Sequence, residues 1–290
     1  MATVKVTATI DGTDIELSVG YEIFGEGRPW ILTAGGGHFS RQYPGVRELA
    51  GALAALGNQV IIWDKVNTGE TDLCIAGSSV ANVQADFCAG LLRTLGVAPA
   101  FVIGGSAGSR VSMLTAVRHR EVVRGLGLWW LTGGTFGRVA IAYNQYGPAV
   151  EAAWNGGMEA VANLPQWQEV LTSNPGNRER LLALDPKQFR DTLQSWMLTM
   201  CPSDNLVVGM ANEEVRKVVD CPALIFRSGL SDMFHPRTAS DELAALLPNV
   251  TYKDPPWPDT EWIDGEPRTL FRSWHKLAPI LHEWADGLSD

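Results

Sequence analysis

The amino-acid sequence predicts an α/β fold: a mostly parallel sheet with helices on both faces. Three observations carry that expectation. Short apolar runs that read as buried strands alternate with segments of helical spacing from Pro29 to Leu131, the rhythm of strand–helix–strand crossovers. Alternating apolar and polar residues at the start predict an antiparallel hairpin at one edge. A serine set among glycines, Gly104-Gly105-Ser106-Ala107-Gly108, stands where one strand run meets a helical run.

The elements follow in order. Val4 to Val19 alternates around Asp11-Gly12, a hairpin signal. Tyr21 to Phe24 continues its second strand, and Gly25-Glu26-Gly27 ends it. Pro29 to Ala34 reads as a buried strand, followed by Gly35-Gly36-Gly37-His38 and by helical spacing from Val46 to Leu56. Gln59 to Asp64 is the next strand, and Lys65 to Asp72 the loop after it. Val80 to Leu95 reads as a helix closed by Gly96. The strand into Ser106, a helix to about Arg118 and a strand over Leu126–Leu131 come next. From residue 132 to about 220 the rhythm stops, and helices broken by Pro148, Pro165, Pro175 and Pro186 are expected. The sheet resumes at Ala223 to Gly229. The loop Leu230 to Pro236, a helix over Ala239–Leu247, a last strand Val250–Lys253 and a closing helix from about Arg268 to Leu288 complete the chain.

Composition narrows the classes of function. The 290 residues suit one large α/β domain or a domain with an insertion, and 46% hydrophobic residues allow a sizeable core. A net charge of -9 argues against nucleic acid and anionic membrane surfaces as partners. No signal-like or membrane-spanning run is recognised, and Cys74, Cys88, Cys201 and Cys221 lack metal-like spacing. Free thiols in a reducing cytoplasm are expected. No metal or cofactor is called for. A small molecule is the expected partner, and a homodimer is left open. The 11 tryptophans are many, and several lie where they would wall a binding cavity; Trp130 and Trp257 are taken as substrate contacts.

The serine carries the chemistry. Gly-x-Ser-x-Gly between a strand and a helix is the setting of a nucleophile elbow. Gly104 and Gly108 remove Cβ atoms that would clash where strand and helix nearly touch. The hydroxyl is thereby raised at the carboxyl end of a strand, where a base must take its proton. The chain offers His38, His119, His235, His275 and His282. His119, between Arg118 and Arg120, reads as solvated. His275 and His282 share a face of the closing helix and read as surface or packing residues. His38 stands beside the glycine loop, within reach of substrate. His235, on a loop at the active edge of the sheet, is the best candidate base.

With the elbow and the strand order together, the chain resembles the α/β-hydrolase family. The resemblance implies a core of residues 1–131 and 221–290, with a helical cap over 132–220 inserted after the sixth strand. It implies an oxyanion hole of backbone N–H groups from Ala107 and Gly36, with Gly37 and His38 touching substrate. It assigns the acid to Asp232, after the seventh strand. Two departures stand out. The segment resembling the family's Asp-Arg-x-Gly-x-Gly-x-Ser carries Lys65 and Asn67 instead. The loop after the last strand, where the family places its histidine, contains Trp257, Asp259, Glu261 and Trp262 but no histidine. If His235 is the base, its carboxylate is Asp232, Asp259 or Glu261. Asp64 is expected to be structural, though it ends a central strand on the catalytic side.

The activity implied is a cofactor-free serine hydrolase for an ester, lactone or ketone C–C bond of a fairly apolar substrate. Because the usual histidine is missing, lyase or cofactor-independent oxygen chemistry on the same fold is the alternative. A non-catalytic small-molecule binder is the third reading, and the intact elbow and glycine loop argue against it.

Overall fold

A computed structural model describes residues 2–201, 206–217, 220–265 and 270–288. The opening hairpin pairs β1 (Ala2–Ile10) with β2 (Thr13–Phe24) antiparallel, from Ala2 opposite Tyr21 to Ile10 opposite Thr13. Asp11 and Gly12 take φ of 46° and 85°, the two-residue turn whose twist matches paired strands. Then follow β3 (Arg28–Thr33), α1 (Pro44–Ala55), β4 (Asn58–Trp63), α2 (Val80–Thr94), β5 (Ala100–Gly105), α3 (Ala107–Arg118) and β6 (Val123–Trp129). After the helical stretch come β7 (Ala223–Phe226), the helix Arg237–Leu246 and β8 (Val250–Lys253). The sheet order is β1-β2-β4-β3-β5-β6-β7-β8. Its pairs are antiparallel from β1 to β4 and parallel from there on. The central strands are apolar on both faces because both are covered by helices.

One apolar layer joins the sheet to α2, α3 and Arg237–Leu246 through residues such as Phe87, Leu114 and Leu243. The other joins it to α1 and the closing helix through Leu49, Trp274 and Leu281. That closing helix starts at Ala278 and ends at Asp286, after a 3-10 turn over Arg272–Leu277. It is therefore shorter than the sequence predicts; Arg268 and Thr269, where it was expected to begin, lie outside the described residues.

Between β6 and β7 the chain forms α4 (Thr135–Ala162), α5 (Pro165–Ser173), α6 (Gly176–Leu182), α7 (Pro186–Met200) and α8 (Asn212–Arg216). Pro165 and Pro186 open their helices, where a missing N–H costs nothing. Pro148 does not break the chain into two helices as expected. It lies inside α4, whose one non-helical residue is Gly157. These helices own a separate core around Trp167, Leu181, Phe189, Leu193 and Trp196.

Candidate active site

The elbow is built by steric necessity. Ser106 has φ 56° and ψ −119°, a strained conformation between β5 and α3. A Cβ on Gly104 would come within 2.7 Å of the Gly108 carbonyl carbon, and one on Gly108 within 2.2 Å of the Thr33 carbonyl oxygen. Only glycine at both positions lets α3 start so close to the strands. The turn is tied down from the neighbouring strand: the Ser106 N–H donates to the carbonyls of Trp129 and Trp130 at 3.2 and 3.1 Å.

His235 meets this serine. Its Nε2 lies 2.9 Å from Ser106 Oγ, and its Nδ1 lies 2.7 Å from Asp232 Oδ2. The other carboxylate oxygen of Asp232 accepts the backbone N–H groups of Phe234 and His235 at 3.0 and 2.9 Å. The acid thus caps the very turn that carries the histidine. Because a carboxylate accepts, Nδ1–H is the donor to Asp232. Nε2 is then the lone pair that faces the serine hydroxyl. Both side chains are buried, at 3% and 1% exposure for Asp232 and His235.

The loop after β8 sends aromatic rings to the same place. Trp262 meets the imidazole edge to face at 4.2 Å between centroids, and Trp130 stacks on it at 6.0 Å. Trp257 packs on Trp130 at 5.7 Å. Asp259 pairs with Arg237 at 2.7 Å, and neither it nor Glu261 hydrogen-bonds His235 among the described residues. Asp64 is buried under Arg41, which bonds it through side chain and backbone, while Glu70 N–H adds a third donor. These bonds tie its carboxylate to Arg41 and the Glu70 backbone. His119 differs from expectation: it is not simply solvated but bonds Asp86 at 2.7 Å. His282 bonds Asn58 and Asp286, and His275 lies exposed beside Glu48.

A cavity of about 480 Å³, including its open mouth, begins at Gly36, Gly37, His38 and Ala107. The side chain of Ser106 is at its border rather than in its wall. Trp130 and Trp257, expected as substrate contacts, do not line it; they pack behind His235. Its far wall comes from the helices between β6 and β7, through Gln145, Tyr146, Trp167, Leu193 and Trp196. Gly36 has φ 63°, and Phe39 lies where its Cβ would be, so this turn requires glycine. Beneath the glycine loop, buried Lys65 donates from Nζ to the carbonyls of Ala34, Gly35 and Phe39 at 3.0, 3.4 and 3.1 Å. That accounts for lysine in the segment: one ammonium gathers three carbonyls of the glycine loop. Burial pushes Lys65 down to about 7. Asn67, the other departure, has φ 68° and clamps both backbone groups of Cys74. Burial, aided by the Lys65 charge, pushes His38 down to about 4, so its imidazole is neutral at pH 7.

Sequence reasoning missed Arg110, which lines the cavity. The signal was present: it stands three residues after Ala107 on α3, hence on the face that Ala107 occupies. Gln145, Tyr146, Trp167 and Trp196 had no comparable signal, because proline-broken helices do not reveal which face turns toward the sheet. The four cysteines are free. No helix among the described residues is long and apolar enough to cross a membrane.

The sheet order, the strand–serine–helix turn and the helices after β6 define the α/β-hydrolase fold, and solved structures agree. A thermophilic esterase from Thermogutta terrifontis superposes with a TM-score of 0.63 at 18% identity, covering 99% of this chain and 98% of that one. The enol-lactonase from Burkholderia xenovorans LB400 gives 0.58 at 18% identity, over 97% and 99%. A meta-cleavage product hydrolase from Pseudomonas fluorescens IP01 gives 0.57 at 19% identity, over 97% of each chain. In sequence, a 2-hydroxy-6-oxononadienedioate/2-hydroxy-6-oxononatrienedioate hydrolase of Burkholderia vietnamiensis is 32% identical over 133 residues. That match spans 46% of this chain and about half the relative, 45% of its length. No family model matches the sequence.

Proposed function

We propose that the chain is a cofactor-free serine hydrolase acting on an ester, a lactone or a ketone C–C bond of a small, fairly apolar substrate. One observation carries the reading: the continuous hydrogen-bonded line Ser106–His235–Asp232, at 2.9 and 2.7 Å. In this reading Ser106 Oγ attacks the carbonyl carbon while its proton passes to His235 Nε2. The imidazolium is stabilised by Asp232, already placed to accept from Nδ1–H. The carbonyl electrons move onto oxygen, which the N–H groups of Ala107 and Gly36 receive. His235 then returns the proton to the leaving group, and water releases the acyl group by the same steps in reverse. Trp262 and Trp130 hold the imidazole in plane and keep bulk water from it.

The helices of residues 132–220 act as a cap in this reading, supported by the side chains of α4, α5 and α7 that wall the cavity. The comparisons are consistent with the bond types proposed, since the relatives named above are an esterase, a lactonase and hydrolases of ring-cleavage products. The non-hydrolytic alternative drew its force from the missing histidine. A histidine at hydrogen-bond distance from Ser106 removes that motive.

The test is a fluorophosphonate probe followed by peptide mass analysis, alongside turnover of p-nitrophenyl esters and lactones. A covalent adduct at Ser106, and its loss with turnover in Ser106→Ala, are expected. An unlabelled serine would favour the non-hydrolytic reading, and full turnover by Ser106→Ala would end the covalent mechanism.

A further inference from the structure

Among the described residues, Arg110 is a buried cation without an acid partner. Its side chain belongs to the cavity wall, yet only 4% of the residue is exposed. Nε and Nη1 are enclosed and have no hydrogen-bond partner among the described residues. Other buried cations here have strong partners: Arg41 bonds Asp64 and Glu70, although its own Nε is unpaired, and Lys65 holds three carbonyls. Among the described residues no carboxylate pairs with Arg110. Tyr146 lies beside it, and the Lys65 charge is close enough to oppose its own. A guanidinium cannot shed its proton as lysine can, so the charge persists. Enclosing it unpaired carries a large desolvation cost. A buried unpartnered group calls for an explanation, and in a cavity wall a partner from outside the chain supplies one.

We infer that Arg110 is the recognition group for a carboxylate on the molecule that fills this cavity. The planar fork of a guanidinium matches the two oxygens of a carboxylate. The remaining walls are apolar and aromatic at Val66, Val80, Trp167, Leu193 and Trp196, so the ligand is an apolar body bearing one anionic end. Arg110 lines the same cavity as Ala107, the residue after Ser106. A ligand that holds its carboxylate on Arg110 is therefore placed to present a carbonyl on the Ser106 side of the cavity. The preferred substrates are then half-esters, lactone acids or keto acids rather than neutral esters. This last step rests on the proposed hydrolase activity; the carboxylate subsite does not.

The subsite is tested by binding, without turnover. Pentanoate and its neutral isostere pentanamide are titrated into the full chain, with fluorescence of the wall tryptophans Trp167 and Trp196 as the readout. Pentanoate is expected to bind at least about 10-fold more tightly, the scale of a charge-assisted hydrogen-bond pair. Arg110→Gln abolishes the preference, and Arg110→Lys keeps part of it. Equal binding of acid and amide by the wild-type chain, or a preference that survives in Arg110→Gln, overturns the inference. Melting temperatures of both variants guard against misfolding; the acid–amide comparison on the wild-type chain and Arg110→Lys decides should Arg110→Gln not fold. A kinetic arm compares mono-p-nitrophenyl glutarate with p-nitrophenyl butyrate, where Arg110→Gln should lower the ratio of their kcat/KM values about 10-fold. A pentanoate preference without fluorophosphonate labelling retires the hydrolase and keeps the subsite. Labelling without that preference does the opposite.

Discussion

Two loops at the carboxyl edge of the sheet divide their duties unequally. The loop after β7 carries both Asp232 and His235, three residues apart. The loop after β8, more than twenty residues further on, contributes Trp262, which packs on the imidazole, and Trp257, which packs on Trp130. In the first loop, acid and base are oriented by one local turn: Asp232 accepts two N–H groups of the segment that holds the ring. In the second, placement depends on packing between distant parts of the chain. A short turn restricts relative position far more cheaply than two separate loops do. In the proposed mechanism the two loops therefore separate a chemical function from a supporting one.

Substitutions in the two loops should break this comparison in graded steps. His235→Ala is expected to lower kcat by about 10⁴-fold or more, and Ser106→Ala in the His235→Ala background to add little, because residues acting as a unit are not additive. Asp232→Asn should cost about 10³- to 10⁴-fold while the ring stays near Ser106, since the amide can hold the wrong tautomer. A circular dichroism melt separates that loss from unfolding. Trp262→Ala should cost less in rate, about 10-fold, by loosening the ring, together with roughly 2–4 kcal/mol of stability from the lost aromatic packing. Asp259→Asn removes a half-exposed ion pair with Arg237. It should change kcat/KM less than about twofold and stability by less than about 1 kcal/mol. A large kinetic effect there would move the supporting carboxylate to the second loop and undo the division of duties.

The glycine loop adds a pH-dependent check. His38 is held at about 4 in the folded chain against an ordinary 6.5. Between those values the unfolded chain takes up a proton that the folded chain refuses, so stability falls as pH drops from 6.5 to 4. His38→Asn should flatten that fall by roughly 3 kcal/mol at most, measured by urea unfolding at pH 7 and pH 4. Lys65 behaves in mirror fashion at higher pH. Its folded value near 7 lies below the ordinary 10.5, so the penalty of burying its charge is complete below pH 7 and relieved as pH rises toward 10.5. The stability of the wild-type chain relative to Lys65→Met should rise across that window.

Much of this was legible in the sequence, and for identifiable reasons. The central strands are continuous apolar runs, and each is followed by a helix of clear period, so β3 to β6 and α1 to α3 could be drawn directly. Ser106 announced itself because only glycine fits at 104 and 108. Gly36, Gly37, His38 and Ala107 followed from that placement. Other features were hidden. Pro148 looked like a break, yet α4 runs through it while packed along α7. Trp130 and Trp257 looked like cavity walls because tryptophans often are; here they pack behind the imidazole, and Trp167 and Trp196 face the cavity instead.

The sequence by itself determined the layered α/β architecture, the position of the serine on its turn and the short list of histidines, since each depends on local period, glycine sterics or simple enumeration. Only the tertiary structure decided that His235 faces Ser106, that neither Asp259 nor Glu261 bonds it among the described residues, and that Arg110 is enclosed there without an acid. Those facts join parts of the chain as many as 129 positions apart. They arise from how the sheet's twist and the helices between β6 and β7 bring loops together, and no local pattern encodes that closure.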